Sequence, residues 1–574
     1  MRVYPCSLEE YRDLISVSVG SRPSHIWFKN AAYLNVYTGQ VERGHIYISG
    51  KRIAYVGSKE YAVSPNTQIV EMEQGQIIVP GYIEPHAHPC QMYNPFAWGA
   101  SQLRGGTVLS MNDNLSLLMQ LGERAIPFIE ELERISSHMF MWWCNVDQVG
   151  AGDRGTLQAW LEHPSVIQGG EFTEWFKLLQ GDEELLERLY MLKSRPFMRA
   201  EGHLPGVSDE KISGLAAAGI GADHESLNAE DVLKRLRLGL YATLRYSSIR
   251  PDLPDILAGL VGNPRFNLSR VMLTSDGPSP HFTEAHNTAS MIKLCMEAGL
   301  PAADAYRLAT LNPATYYGLD EDLGGIAPGR LASFNVLPSL DEPSPLHVMQ
   351  NGKWCIWNRN DLHPADEAAV AGWLRSWFPA RRIPVELLPE QITVQSHTGI
   401  ELINDVITKP YEFVPDDLLD AEESLITLLD SKGKWALHTR IKGFAAGVLA
   451  LASTYSASGD TLLIGRNEAI ICSILRELNE RGDGILVYFN NGSQLYIPLP
   501  LGGTMSDGSM GEISSALDRF TCMMQEHGYC YRDPAYTLLF LTASHLPYIR
   551  MSAKGLYLVK NGQVIASPIS LDNG

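Results

Sequence analysis

Two histidines one residue apart, His86 and His88, close the stretch IIVPGYIEPHAHPC at residues 77–90. Ile77, Ile78 and Val79 are apolar β-formers, and a run of this kind reads as a strand of a buried parallel sheet. Side chains alternate along a strand, so both imidazoles project the same way, about 6–7 Å apart, and can close on one metal ion. The plainer alternative is a pair of polar histidines at a strand end. Further along, Glu171 in IQGGEFTEW, His203 in AEGHLPG, His224 in GADHES and Asp276 in LTSDGPSP each end a strand-like run. Singly, each has an ordinary explanation. His203 or His224 would be a hydrogen-bonded structural histidine, Glu171 a surface carboxylate with Glu174 as its rival, and Asp276 a helix cap. Together, four histidines and two carboxylates suit divalent transition metals.

Such residues meet only if the ends of their strands meet. Apolar runs at 105–114, 138–147, 166–171, 197–203, 219–225, 239–248 and 270–276 alternate with helical patterns such as DEELLERLYMLKS and AEDVLKRLRLGL. Strand–helix alternation with polar strand ends predicts an α/β fold, a (β/α)8 barrel with its site at the C-terminal strand ends. The interval from His86 to Asp276 gives about 27 residues per strand–helix unit, which fits a barrel of about 250 residues. Before it, a polar lead-in carries a helical stretch, Leu8–Val17. Residues 26–57 then alternate apolar and polar side chains around turns at Thr38-Gly39 and Ser49-Gly50-Lys51, which is hairpin patterning. The expected division is residues 1–76 as the first half of a small β-sandwich, 77–324 as the barrel, 325–395 as the second half, and 396–574 as a further α/β domain.

The segment PGYIEPHAHP resembles the first barrel strand of the amidohydrolase superfamily, a Pro-Gly pair followed by an acidic residue and His-x-His. Within that superfamily the chain is most similar to the adenine deaminases, in a divergent branch. AEGH and ADHE resemble their fifth and sixth barrel strands, and the segments LPLGGTMSDG and PAYTLLFLTASHLPYIRMSAKGLYLVKNGQVI resemble their C-terminal domain. The resemblance implies a sandwich built from the two barrel flanks. It also implies a binuclear metal site of His86, His88, Glu171, His203, His224 and Asp276. Glu171 would bridge where many relatives use a modified lysine. Mn²⁺ or Fe²⁺ is the implied metal, with Zn²⁺ also compatible. Three departures stand out. Thr454–Asp460 replaces a His-Asp-Ser-His-Asn run, and Met111–Asn114 replaces an Asp-Pro-His-Glu run, with Asp113 as a substitute polar group. Ser333 replaces a common aspartate and is read as a surface turn change.

The chemistry that follows is hydrolytic deamination. Metal lowers the pKa of water towards about 7, and attack at C6 of adenine with loss of ammonia gives hypoxanthine. Asp276 would take the proton from water and pass it to the leaving amine. Glu225 is either a second proton carrier or a supporting carboxylate beside His224. The separate zinc deaminase signature, H-x-E with P-C-x-x-C, is absent. The alternatives are an amidohydrolase acting on a cyclic amide or N-acyl bond, a deaminase of another heterocyclic base, and a catalytically silent barrel.

Composition sets the remaining bounds. A net charge of −19 argues against a nucleic-acid partner. Eight scattered cysteines, no apolar leader and no long apolar run predict a cytoplasmic protein with reduced thiols and no membrane span. The partner expected is a small purine base; homo-oligomerisation is left open.

Overall fold

The computed structural model describes residues 6–147, 154–362, 364–381, 386–394, 396–415, 417–544 and 546–571. The chain forms two compact units. The first is Met1–Pro89, Pro95–Pro278 and Phe282–Ala365, and the second is Cys90–Asn94, Ser279–His281 and Asp366–Gly574.

The first unit opens with a helix, Leu8–Ser18, started by a capping box between Ser7 and Glu10. Strands β1 (Ile26–Asn35), β2 (Gln40–Ser49) and β3 (Arg52–Gly57) follow as an antiparallel meander around the expected turns. β4 (Gln68–Val70) and β5 (Ile77–Pro80) pair with β1 in parallel. The run Ile77–Val79, expected to begin the barrel, does not do so. β5 pairs antiparallel with β14 (Phe334–Leu337), Val79 opposite Asn335, and completes a nine-stranded sheet with β15 (His347–Gln350), β16 (Lys353–Trp357) and β17 (Asn360–Asp361). All four residues of β5 are buried. Its periodicity therefore could not tell a barrel strand from a central strand of the flanking sheet. The chain changes sheets at Gly81, whose N–H donates to Ser333 O. A Cβ there would stand 2.5 Å from Val108 Cγ1. Ser333 is buried rather than on the surface, and its hydroxyl accepts the Asn351 N–H. The sheet ends at Asp361, short of the expected residue 395, and the helix Glu367–Trp377 follows. Gln395 itself lies outside the described residues.

The barrel strands are β6 (Tyr82–Ala87), β7 (Thr107–Asp113), β8 (Met139–Cys144), β9 (Val166–Phe172), β10 (Arg199–Gly202), β11 (Ala222–Asp223), β12 (Tyr241–Arg245) and β13 (Val271–Thr274). They pair in parallel and in chain order, the strands expected from the sequence. Ile83, Leu109, Met141, Ile167 and Met272, from five of the strands, pack in one core cluster. The seam between β13 and β6 is drawn together by Glu84, a fully buried carboxylate. It accepts from Thr274 Oγ1 at 2.6 Å, Ser275 Oγ at 2.8 Å and Ser275 N at 3.0 Å, while Thr274 Oγ1 also reaches His86 O.

The second unit carries a nine-stranded mixed sheet with Thr408–Glu412 at one edge and Gln494–Pro498 at the other, and Ile569–Ser570 added. The helix Glu468–Arg481 lays Ile471, Ile474 and Leu475 on it. Thr454–Asp460 forms a turn whose polar groups are met within it and by Gly503 and Arg381. Ser456 Oγ donates to Asp460 O, Thr454 Oγ1 to Gly503 O, and Arg381 donates to the carbonyls of Thr454 and Gly459. Cys90–Asn94 joins this unit too: Ser506 N donates to Met92 O, and Asn94 Nδ2 donates to Ser506 O. Among the described residues no helix is long and apolar enough to cross a membrane, and all eight cysteines are free thiols.

Candidate metal centre

All seven residues singled out in the sequence gather at the C-terminal ends of the barrel strands. His86 lies on β6 and His88 one residue past its end, with their Nε2 atoms 3.2 Å apart. Glu171 reaches the mouth through a bulge. Between the pairs Ala200–Gly169 and Gly202–Phe172, β9 carries one residue more than β10. Gly170, at φ 89°, sits at that bulge, where a Cβ would press on Glu201 O at 2.7 Å.

The Glu171 carboxylate is shared between two histidine pairs. Its Oε2 lies 3.8 Å from Nε2 of both His86 and His88. Its Oε1 lies 2.5 Å from His203 Nδ1 and 3.4 Å from His224 Nε2. Asp276 Oδ1 is 3.3 and 3.4 Å from the Nε2 atoms of His86 and His88. Asp276 itself has φ 50°, a left-handed conformation that aspartate adopts more readily than most residues. Glu174, the rival of Glu171, ion-pairs with Lys177 instead.

Two further carboxylates, Glu201, which the sequence did not mark, and Asp113, hold the far sides of the imidazoles. Glu201 faces Nδ1 of both His86 and His224, at 3.1 and 3.2 Å. Asp113, read only as a substitute polar group, faces His88 Nδ1 at 3.1 Å and takes the Asn145 amide. These contacts leave Nε2 of His86, His88 and His224 turned inward, the arrangement that metal-binding histidines need. Trp143 walls the site, its ring centroid 4.5 Å from that of His86.

Glu225 and Asp276 are joined by Arg245, and Arg250 holds the other oxygen of Glu225; the sequence alone marked neither arginine. Arg245 Nη1 donates to Glu225 Oε1 at 2.6 Å and to Asp276 Oδ2 at 2.5 Å. Arg250 Nη1 donates to Glu225 Oε2 at 3.0 Å. Burial pushes Glu225 upward, but Arg245, the histidines and Arg250 outweigh it and hold the carboxyl at about 2. Asp276 is likewise raised by burial and pulled well below the carboxylate range by Arg245 and its contacts to His86 and His88. Burial would keep the imidazoles neutral, yet neighbouring carboxylates hold His88 and His224 well above the ordinary range. Glu171, Glu201, Asp113 and Asp276 thus crowd the four imidazoles with negative charge, a setting that suits a bound cation. Nitrogen and carboxylate donors with no thiolate among them fit a divalent metal.

Residues 403–563 match the adenine deaminase C-terminal domain and residues 247–355 the amidohydrolase family. A Bacillus cereus protein named "Putative adenine deaminase" is 37% identical over 581 residues, spanning 99% of this chain and 98% of its own. "Adenine deaminase 2" of Carboxydothermus hydrogenoformans is 26% identical over 593 residues, spanning 98% of this chain and 100% of its own. Among solved structures, the β-aspartyl dipeptidase of Fervidobacterium islandicum AW-1 aligns with a TM-score of 0.48 at 15% identity, covering 59% of this chain and 99% of that one. With such kinship along nearly its whole length, the chain belongs to the adenine deaminase family of the amidohydrolases.

Proposed function

We propose that this chain is a metal-dependent hydrolase that converts adenine and water into hypoxanthine and ammonia. One observation carries the reading: the two oxygens of Glu171 face two separate histidine pairs, as a carboxylate bridging two ions would. His86, His88 and Glu171 would hold one ion, and Glu171, His203 and His224 the other, with Asp276 beside the first. Mn²⁺ or Fe²⁺ suits these donors, and Zn²⁺ is compatible. When bound, the metal supplies Lewis acidity that makes water a nucleophile at neutral pH.

The remaining work falls to side chains. Asp276 Oδ1, next to His86 and His88, is placed to take the proton released by the attacking water. It is the group we assign to carry that proton to the departing amine as the C6–N bond breaks. Glu225 has a guanidinium on each oxygen, which favours a supporting role over proton transfer. Trp143 and the buried rings around it limit stray water.

The test is metal-reconstituted protein offered adenine, other purines and cyclic amides, with ammonia release measured. Ammonia and hypoxanthine from adenine are expected. Inert adenine beside an opened cyclic amide would replace this reading with that of an amide hydrolase.

A further inference from the structure

We infer that Arg245 is a positioning residue, the fixed point that sets Asp276 and Glu225 in register at the barrel mouth. The inference rests on the proposed role of Asp276. Arg245 is the last residue of β12, between the strand end that carries Glu225 and the one that carries Asp276. One nitrogen, Nη1, serves both carboxylates, at 2.6 and 2.5 Å. It thereby fixes Asp276 Oδ2, which leaves Oδ1 as the oxygen turned to His86 and His88. It also fixes Glu225 Oε1, which lies 3.6 Å from both His203 Nδ1 and His224 Nε2. A single guanidinium nitrogen is thus one bond from a carboxylate at each histidine pair.

The arginine is itself held in place. Its side chain is 6% exposed. Asp252 Oδ2 lies 4.0 Å from its Nη2 and accepts from Arg250 Nε at 2.8 Å, while Arg250 Nη1 grips the other oxygen of Glu225. Asp276, Arg245, Glu225, Arg250 and Asp252 therefore form a row of alternating charge in which each member restrains the next. A planar guanidinium keeps its donors at fixed angles, which the flexible ammonium of lysine does not. Loss of about 1 Å in the placement of a reacting group costs about 10²-fold in rate.

The experiment compares R245K and R245M with the parent, each loaded with Mn²⁺ for kinetics and with Co²⁺ for visible spectra. R245K keeps a positive charge between the two buried carboxylates, so it reports even if R245M does not fold. In R245K we expect parental metal content, kcat lowered about 10²-fold, KM within about threefold of the parent, and an altered Co²⁺ spectrum as Asp276 turns. Parental kcat in R245K would overturn the inference. So would a loss of rate matched by loss of metal, or a raised KM at parental kcat, which would make Arg245 a substrate-binding group. If the parent itself leaves adenine untouched, the proposed function fails, while the Co²⁺ spectra still decide whether Arg245 orients Asp276.

Discussion

At the scale of single residues, the site is a set of carboxylates with separate duties. Asp276→Asn keeps the volume and one carbonyl oxygen but removes the proton acceptor we propose. Turnover should fall by about 10²–10⁴-fold, with metal content falling less; steady-state ammonia release beside metal analysis checks both. Glu201 has a different duty. Burial raises its carboxyl, and His86 and His224 outweigh that and bring it to about 2. Glu201→Gln should leave the ligands in place yet weaken metal binding by about 10–100-fold, read by competition against a graded chelator. Much of this site was legible. His86, His88, Glu171, His203, His224 and Asp276 each end a strand-like run. Glu201 could have been found by the same rule applied backwards, because it stands two residues before His203 and shares its face. Arg245 could not. Its partners lie 20 residues before it and 31 after it, and no local pattern marks a residue whose meaning depends on both.

At the scale of elements, the strand-to-strand intervals predicted the barrel because each unit repeats the same short local problem. The edges of the flanking sheet were harder. Ile77–Pro80 is apolar on both faces, so only its partner β14, some 250 residues away, decides which sheet it joins. Packing of the outer helices carries its own pH sensitivity. Glu133, in the helix Ala125–Ile135, accepts from Trp142 Nε1 at 3.2 Å and from Ser165 Oγ at 2.8 Å. Burial nevertheless pushes its carboxyl up to about 7. The folded state therefore holds this proton more tightly than the unfolded chain, whose carboxyl titrates near 4.3. The stability this proton gives is fully present below about pH 4.3 and is lost as pH rises to about 7. Thermal denaturation of Glu133→Gln and the parent across that window checks the sign. The difference between them should change with pH in that window and level off above it.

At the scale of the whole molecule, a cation is expected to be part of the fold's stability as well as of the chemistry. Chelation should abolish activity, and Mn²⁺ or Fe²⁺ should restore it better than Zn²⁺. Metal that binds only the folded chain should also raise its stability, by about 2.7 kcal/mol at a hundred times Kd, seen as a higher Tm on reconstitution. Full activity in exhaustively demetallated protein would refute the metal-dependent reading.

The membership of Cys90–Asn94 and Ser279–His281 in the second unit bears on how the later unit could be removed. A domain added at the end of a gene is ordinarily removable at one cut. Here the first and last barrel strands each lend a connecting segment to the later unit, and Met92 and Tyr93 are 2% and 0% exposed within it. Residues beyond 500 meet the backbone of Met92, where Ser506 N donates to Met92 O and Met505 pairs with it. A gene shortened after Ala365 would thus strip the buried segment just past His88 of these partners, and light scattering should find the chain aggregated.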